Sequence, residues 1–489
     1  MADSMPAGVR TYHLSITPQT PEPDPEVLQM IRQAGVSHLW LTGAWCGEWI
    51  CTPERLKIWR SRIEAAGMQA DVLNMPLGHP GCAIPKTWHG ATSADGKTWI
   101  GTSLHEPATK ANCDALRQIE ALGARSVFLD DDFRLAASPG GIGGCFCPVH
   151  KQAFLRHTGY AEPKWQELCD DVAHRKLTPV LRDWVSFNCD QLTECFRTQQ
   201  KAVPGIQLGV MVMYLGSEKA GIRLTDYRGI PMRVGEYMFS DDMFDPVKGK
   251  TDELFSSLFH RRFMPPELAY SETTAFPDKR LSLKNKVAKL AVSTLSDVRN
   301  TMFMCDFPKK HWPTLAPAMK RHADIHARIA GHRPRGPLKH FWGTASRFVG
   351  DDNPYSLFLA LGIPFEVVDE PAHDGFTFLS DADAETIGPL RSARTVLIAR
   401  PRPAALDKVR FIPESLPVLL AFKKEIVPKL GPVPYVEGDS PIVCAWYPTA
   451  RAVVLWNLAE QPVTASLRCA GKQRTVPIEA LNIALAEDI

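Results

Sequence analysis

From about residue 10 to residue 332 the chain alternates short apolar runs with longer amphipathic stretches. That alternation is the pattern of a parallel sheet whose strands are wrapped by helices. The strand candidates are YHLSIT from Tyr12, SHLWLTGAW from Ser37, QADVLNMPL from Gln69 and SVFLDDDF from Ser126. IQLGVMVMYL from Ile206, MRVGEYMFS from Met232, ELAYSETTAF from Glu267 and NTMFMCDF from Asn300 complete the set. Between them PEVLQMIRQAG, PERLKIWRSRIEAAG, NCDALRQIEALG and LKNKVAKLAVSTLSDV read as helices. The first three end in Gly, a residue that tolerates the positive φ of a helix stop. About eight strands close a barrel with a packed interior. A doubly wound open sheet is the competing arrangement. Polar and aromatic residues recur after most of the strands, and this favours an α/β fold of the (β/α)8 TIM-barrel type.

At IAGHRPRGPLKH, Pro and Gly break the pattern, which places a boundary near 333. HFWGTA, PYSLFLALG, IPFEVVDE and TVLIARP then read as a small α/β layer domain to about 436. From 437 onward, IVCAWYP, AVVLWNLAE and VTASLRCAG alternate in β fashion and predict a small C-terminal β-domain. A chain of 489 residues is long enough for this division into 1–332, 333–436 and 437–489.

Composition excludes several classes of partner. Hydrophobic residues make up 45% and charged ones 22%, the balance of a globular protein with a sizeable core. With 56 basic against 54 acidic residues the net charge is +2, which offers nothing built to neutralise a phosphate backbone, so no nucleic-acid partner is expected. No stretch approaches the roughly 18 apolar residues of a membrane span, and MADSMPAGVRTYHLSIT lacks the apolar core of a signal peptide. A cytoplasmic protein with no membrane partner is the expectation. The twelve scattered cysteines then read as reduced thiols.

In a (β/α)8 barrel, side chains at the strand ends converge on one mouth. The fourth strand ends in Asp130, Asp131 and Asp132, followed by Phe133 and Arg134. Successive carboxylates repel one another, so the triplet needs a positive partner, a metal or raised pKa values. The seventh strand ends in Tyr270, Ser271, Glu272 and Thr273, and the sixth contributes Glu236, Asp241 and Asp242. Cleavage of a glycosidic bond requires one carboxylic acid to protonate the leaving oxygen and a second carboxylate to attack or to activate water. Acids on strands four and seven would face each other across the mouth. The competing reading is structural, with the aspartates capping the following helix or pairing with Arg134.

Sugars offer apolar C–H faces to aromatic rings while polar groups orient their hydroxyls. Trp45 and Trp49 after the second strand and Trp312 after the eighth are candidates for such a cleft. Trp40 reads as core, and Trp88 falls in the loop after the third strand. His79 and Tyr214 are candidate hydrogen-bonding residues. The loop LAASPGGIGGCFCPVHKQAF sets Cys145, Cys147 and His150 just before a helix, a spacing that suits a closed tetrahedral zinc site. Cys113 is the candidate fourth ligand, with Cys82 behind it. No organic cofactor is expected.

The run from VFLDDDFRL to GCFCPVHKQAFLRHTGY resembles the β-galactosidases of glycoside hydrolase family 42, whose fourth strand ends in Asp-Asn-Glu ahead of a Cys-x-Cys-x-x-Cys zinc segment. The resemblance implies that Asp132 holds the place of the acid/base and Glu272 that of the nucleophile. Cys145, Cys147 and His150 fall on the zinc segment, with His150 replacing its last cysteine. It also implies the same domain order, with an α/β (flavodoxin-like) domain that builds a trimer in the family. Asp for Glu shortens the acid by one methylene, which sets this chain outside the core of that family.

The expectation is a retaining glycoside hydrolase with Glu272 as nucleophile and Asp132 as acid/base. Asp130 or Asp131 would tune the acid, and Arg134 would help hold the acidic run. An inverting enzyme would use the same acids at wider spacing. Two alternatives come from other classes: a non-catalytic carbohydrate-binding barrel, and a metal-dependent hydrolase whose acids and His79 bind a catalytic ion.

Overall fold

The computed structural model describes residues 10–78, 84–102, 106–130, 133–138, 140–235, 237–274, 280–304, 309–370, 372–387, 395–402 and 409–489. Eight strands form a closed ring: β1 (Thr11–Ile16), β2 (Val36–Trp45), β3 (Gln69–Met75), β4 (Ser126–Leu129), β5 (Gln207–Met213), β6 (Met232–Gly235), β7 (Ala269–Thr274) and β8 (Asn300–Phe303). Each pairs in parallel with the next in chain order, and β8 pairs with β1, which closes the barrel and rules out the open sheet.

Alternation along each strand decides what faces the helices and what fills the ring. In β4, Val127 and Leu129 join the outer apolar cluster. Phe128 turns inward against Trp40, Leu73 and Met302. The outer helices are α1 (Pro25–Gln33), α2 (Pro53–Ala65), α3 (Glu106–Ala121), α4 (Pro148–Thr158), α5 (Pro163–Ala173), α6 (Pro179–Ala202), α7 (Val247–His260), α8 (Leu283–Leu295) and α9 (Trp312–Ile329). Gly35, Gly67 and Gly123 follow the first three at positive φ, as their sequence positions predict. Helices α4 and α5 are an insertion after β4. They pack on α6 through a cluster of their own around Phe154, Trp165 and Trp184.

Behind the barrel, β9 (Leu338–Phe341), β10 (Phe365–Val368), β11 (Phe376–Leu379), β12 (Val396–Ala399) and β13 (Val409–Phe411) form a parallel sheet in the order β10-β9-β11-β12-β13. That is the 2-1-3-4-5 order of flavodoxin-like folds. Two three-stranded sheets complete the chain. One joins Tyr435–Glu437, Val463–Cys469 and Lys472–Ile478, and the other joins Ile442–Tyr447, Ala452–Asn457 and Ile483–Glu487. One apolar cluster runs without a break from Leu129 and Phe255 of the barrel through Trp342 and Phe378 to Val443 and Trp456. The Tyr447 hydroxyl donates to the Leu295 carbonyl of α8 at 2.7 Å, and Lys219 and Asp352 form a buried ion pair across the same seam. Among the described residues no helix is long and apolar enough to cross a membrane.

Candidate active site

The barrel interior has a solid floor. Trp40 is 1% exposed and stacks on His38 at 4.9 Å, and Phe128 packs between Trp40 and Tyr270. Trp40 donates its indole N–H to His13 Nδ1 at 3.1 Å, and His13 Nε2 lies 3.2 Å from Asn300 Oδ1. Both ring nitrogens are thus satisfied by a neutral imidazole, and burial drives the His13 pKa well below its ordinary value. His38 contacts Asp71 at 3.0 Å, while the other Asp71 oxygen accepts the backbone N–H groups of Arg125 and Ser126. Every one of these polar groups is spoken for, so the floor is structural.

Above it lies a charged layer. Arg233 occupies the inward position of β6 and is fully buried. Its Nη2 forms an ion pair with Asp130 at the end of β4 and lies 3.9 Å from Glu272 Oε1 on β7. One guanidinium nitrogen therefore stands between Asp130 and Glu272, while Asp132, the acid expected to face Glu272, lies outside the described residues. Thioethers complete the shell, with Met211 Sδ 3.0 Å from Nη2 and Met302 Sδ 3.6 Å from Nη1. Burial among these groups lowers the Arg233 pKa, and the Glu272 carboxylate opposes that shift. Glu272 is 5% exposed, and the space for it comes from Gly235. A Cβ at Gly235 would lie 2.6 Å from Met211 Cε and 2.9 Å from Glu272 Oε2.

Other expected site residues are distributed more widely. Asp131, Asp132, His79 and Glu236 lie outside the described residues. Arg134 is buried just beyond the acidic run. Trp45, at the end of β2, and Trp49, in the short strand paired with it, are half-buried. Trp312 departs from expectation as a cleft residue: it is 3% exposed and belongs to the apolar cluster under α9. Its place at the start of an amphipathic helix turns it toward the barrel wall. Tyr214 is also core, at 3% exposure, with burial raising its hydroxyl pKa well above the ordinary value. It supports an aromatic that sequence reasoning missed: Tyr237, 38% exposed, is stacked on it at 5.6 Å. Asp241 accepts from the Ser282 backbone N–H and the Asn285 amide, both at 2.8 Å, so it anchors the start of α8.

Cys145, Cys147 and His150 do come together. Their ligand atoms all lie within 4.8 Å of one another, and Cys147 Sγ is 3.4 Å from His150 Nδ1. Burial pushes the Cys145 thiol up to about 11. Cys113 is not part of this group. It sits on the buried face of α3 beside Cys195 of α6, so helix packing separates it from the loop. Cys82 lies outside the described residues.

Taken together, the ring, its charged layer and the two appended domains define a class: a (β/α)8 barrel with an acidic mouth, a flavodoxin-like domain behind it and a terminal β-domain. Solved structures with a similar fold include β-galactosidases of glycoside hydrolase family 42. The enzyme from Bacillus circulans sp. alkalophilus matches 98% of this chain and 99% of its own at 10% identity and a TM-score of 0.63. A GH42 β-galactosidase from G. stearothermophilus matches 98% of each chain at 10% identity and 0.62. The cold-adapted β-galactosidase from Rahnella sp. R3 matches 99% of this chain and 98% of its own at 11% and 0.60. At such identities the likeness establishes the fold. No protein-family profile and no curated sequence matches the chain.

Proposed function

We propose that the protein is a retaining glycoside hydrolase acting on a β-galactoside or a closely related sugar. The observation that supports this best is the pairing of Asp130 and Glu272 around Arg233 at the C-terminal mouth of a closed barrel. Retention is what the resemblance implies; it requires Asp132 and Glu272 about 5 Å apart, whereas inversion needs a wider gap for water. Glu272 attacks the anomeric carbon as Asp132 protonates the leaving oxygen. Asp132 then takes a proton from water, which releases the sugar from Glu272. Asp130 stays paired with Arg233 and fixes the cation beside the nucleophile, so its role is positioning. Trp45, Trp49 and Tyr237 are the aromatic surfaces proposed to meet the sugar.

Cys145, Cys147 and His150 would hold a structural zinc ion, since thiolate and imidazole donors at this spacing match a tetrahedral site with one ligand still to be supplied. Such an ion would neutralise the two thiols and tie the glycine-rich loop to α4. The α/β domain is proposed to build a homotrimer, as the resemblance implies, and light scattering of the purified protein measures this directly.

Glu272→Ala and Asp132→Ala should each abolish turnover of a nitrophenyl β-galactoside while leaving the melting transition in place. Azide should then rescue Glu272→Ala with formation of the α-glycosyl azide. Full activity in either variant rejects the assignment. The shortened acid at position 132 favours one second reading, a barrel that binds sugar without cleaving it. Galactose that raises the melting temperature of a protein inert toward every aryl glycoside would establish that reading instead.

A further inference from the structure

At the opposite end of the barrel from Glu272, a cleft opens between the barrel and the α/β domain. Two adjoining cavities of about 230 and 400 Å³ share Arg261, Arg262 and Arg333 in their walls, and Arg335 lines the smaller one. Arg261 and Arg262 follow the last turn of α7, ahead of the N-terminal end of β7. Arg333 and Arg335 belong to the connection that leads into β9.

Three of these cations are matched one for one. Arg261 pairs with Asp297 at 3.0 Å and Arg262 with Asp369 at 2.5 Å, while Arg335 pairs with Glu366. Asp297 is already shared with His326 and approached by Arg299, so it has little left to offer a further cation. Arg333 is solvent-exposed, has no ion pair or hydrogen bond among the described residues, and shares the cavity walls with three other guanidinium groups. Desolvation, and after it repulsion from Arg261, Arg262 and Arg335, lowers its pKa, while Asp297 opposes the shift. A second donor is also unused: Arg262 Nε is buried without a hydrogen-bond partner, while its Nη1 is held by the Val367 carbonyl at 2.8 Å.

We propose that this cleft is a binding site for a small tetrahedral oxyanion, a free phosphate or the phosphate group of a monoester. Planar guanidinium forks match such oxygens in a bidentate way, and an anion here relieves the repulsion among the arginines. Arg333 is the principal ligand and Arg262 Nε the second. The smaller cavity exceeds the volume of several waters, each about 30 Å³ in the liquid, and so admits a phosphate group. The site is separate from the catalytic mouth and does not depend on the activity proposed above.

Isothermal titration of the full-length protein at constant ionic strength tests this with inorganic phosphate, a sugar monophosphate and the parent sugar. Phosphate should bind saturably, with Arg333→Ala weakening it by about tenfold or more and Arg333→Lys by less. Glu272→Gln should bind phosphate as the wild type does. A monoester that binds more tightly than phosphate identifies the ligand as an ester, and equal affinity identifies the free ion. The proposal is overturned if Arg333→Ala binds as wild type, if phosphate shows no saturable binding, or if chloride produces the same response.

Discussion

A guanidinium sealed from water requires a matching charge, because breaking a buried pair leaves an ion in a medium that cannot solvate it. Arg233 is fully buried, and Asp130 is its ion-pair partner. Arg233→Met therefore strands Asp130, and urea unfolding should show a loss of about 3–5 kcal/mol. Adding Asp130→Leu removes the stranded carboxylate, so the double variant should recover most of that stability and remain inactive toward aryl galactosides. A double variant no more stable than the single one would show that the pair is not what holds the layer together. Glu272 and Asp130 are legible in the sequence because each follows an apolar run that ends in a carboxylate, while Asp131 and Asp132 lie outside the described residues. The cation between them is not, since Arg233 lies 103 positions from Asp130 and only ring closure brings them together. Its trace in the sequence is slight: a single basic residue at the inward position of an apolar strand.

The loop between β4 and α4 is shaped by what it packs against. Gly143 and Gly144 lie so close to the Leu135 carbonyl and the Trp184 ring that a Cβ at either would collide, and Trp184 donates its indole N–H to the Gly143 carbonyl at 3.0 Å. This positions Cys145, with the Thr92 backbone N–H 3.4 Å from its sulfur, beside Cys147 and His150. If zinc completes the element, Cys147→Ser should lose the bound metal by elemental analysis and melt several degrees lower. A chelator should lower the wild-type melting temperature and leave that of the variant unchanged. Full metal content in Cys147→Ser would reject the site. The Cys-x-Cys-x-x-His cluster was readable because its three side chains are neighbours in sequence. The fourth was misassigned to Cys113 because nothing in a linear pattern shows which way a cysteine faces on an amphipathic helix. The eight barrel strands were legible for a related reason: buried on both faces, they stand out as apolar runs.

Across the whole molecule, the domains meet through buried ionisable groups as well as apolar ones. Asp252 on α7 accepts from Ser356 Oγ at 2.5 Å and from Lys248 Nζ at 2.8 Å, and burial lifts its carboxyl to about 6. The folded protein thus keeps a proton that the unfolded chain releases near pH 4, so this group favours folding at low pH and loses that effect as pH rises from about 4 to 6. Asp252→Asn removes the dependence. Its stability relative to wild type should climb across that window by up to about 3 kcal/mol and then level off, as thermal melts at a series of pH values would record. A constant difference would exclude Asp252 as the titrating group. The apolar cluster that joins barrel to tail carries a further consequence, for biosynthesis. Trp342, Phe378 and Trp456 cover surface laid down long before them in the chain. At about 5–20 residues per second, a nascent barrel waits on the order of ten seconds on the ribosome with that flank bare. During this interval the bare apolar flank is prone to aggregation and is the surface a chaperone would have to shield.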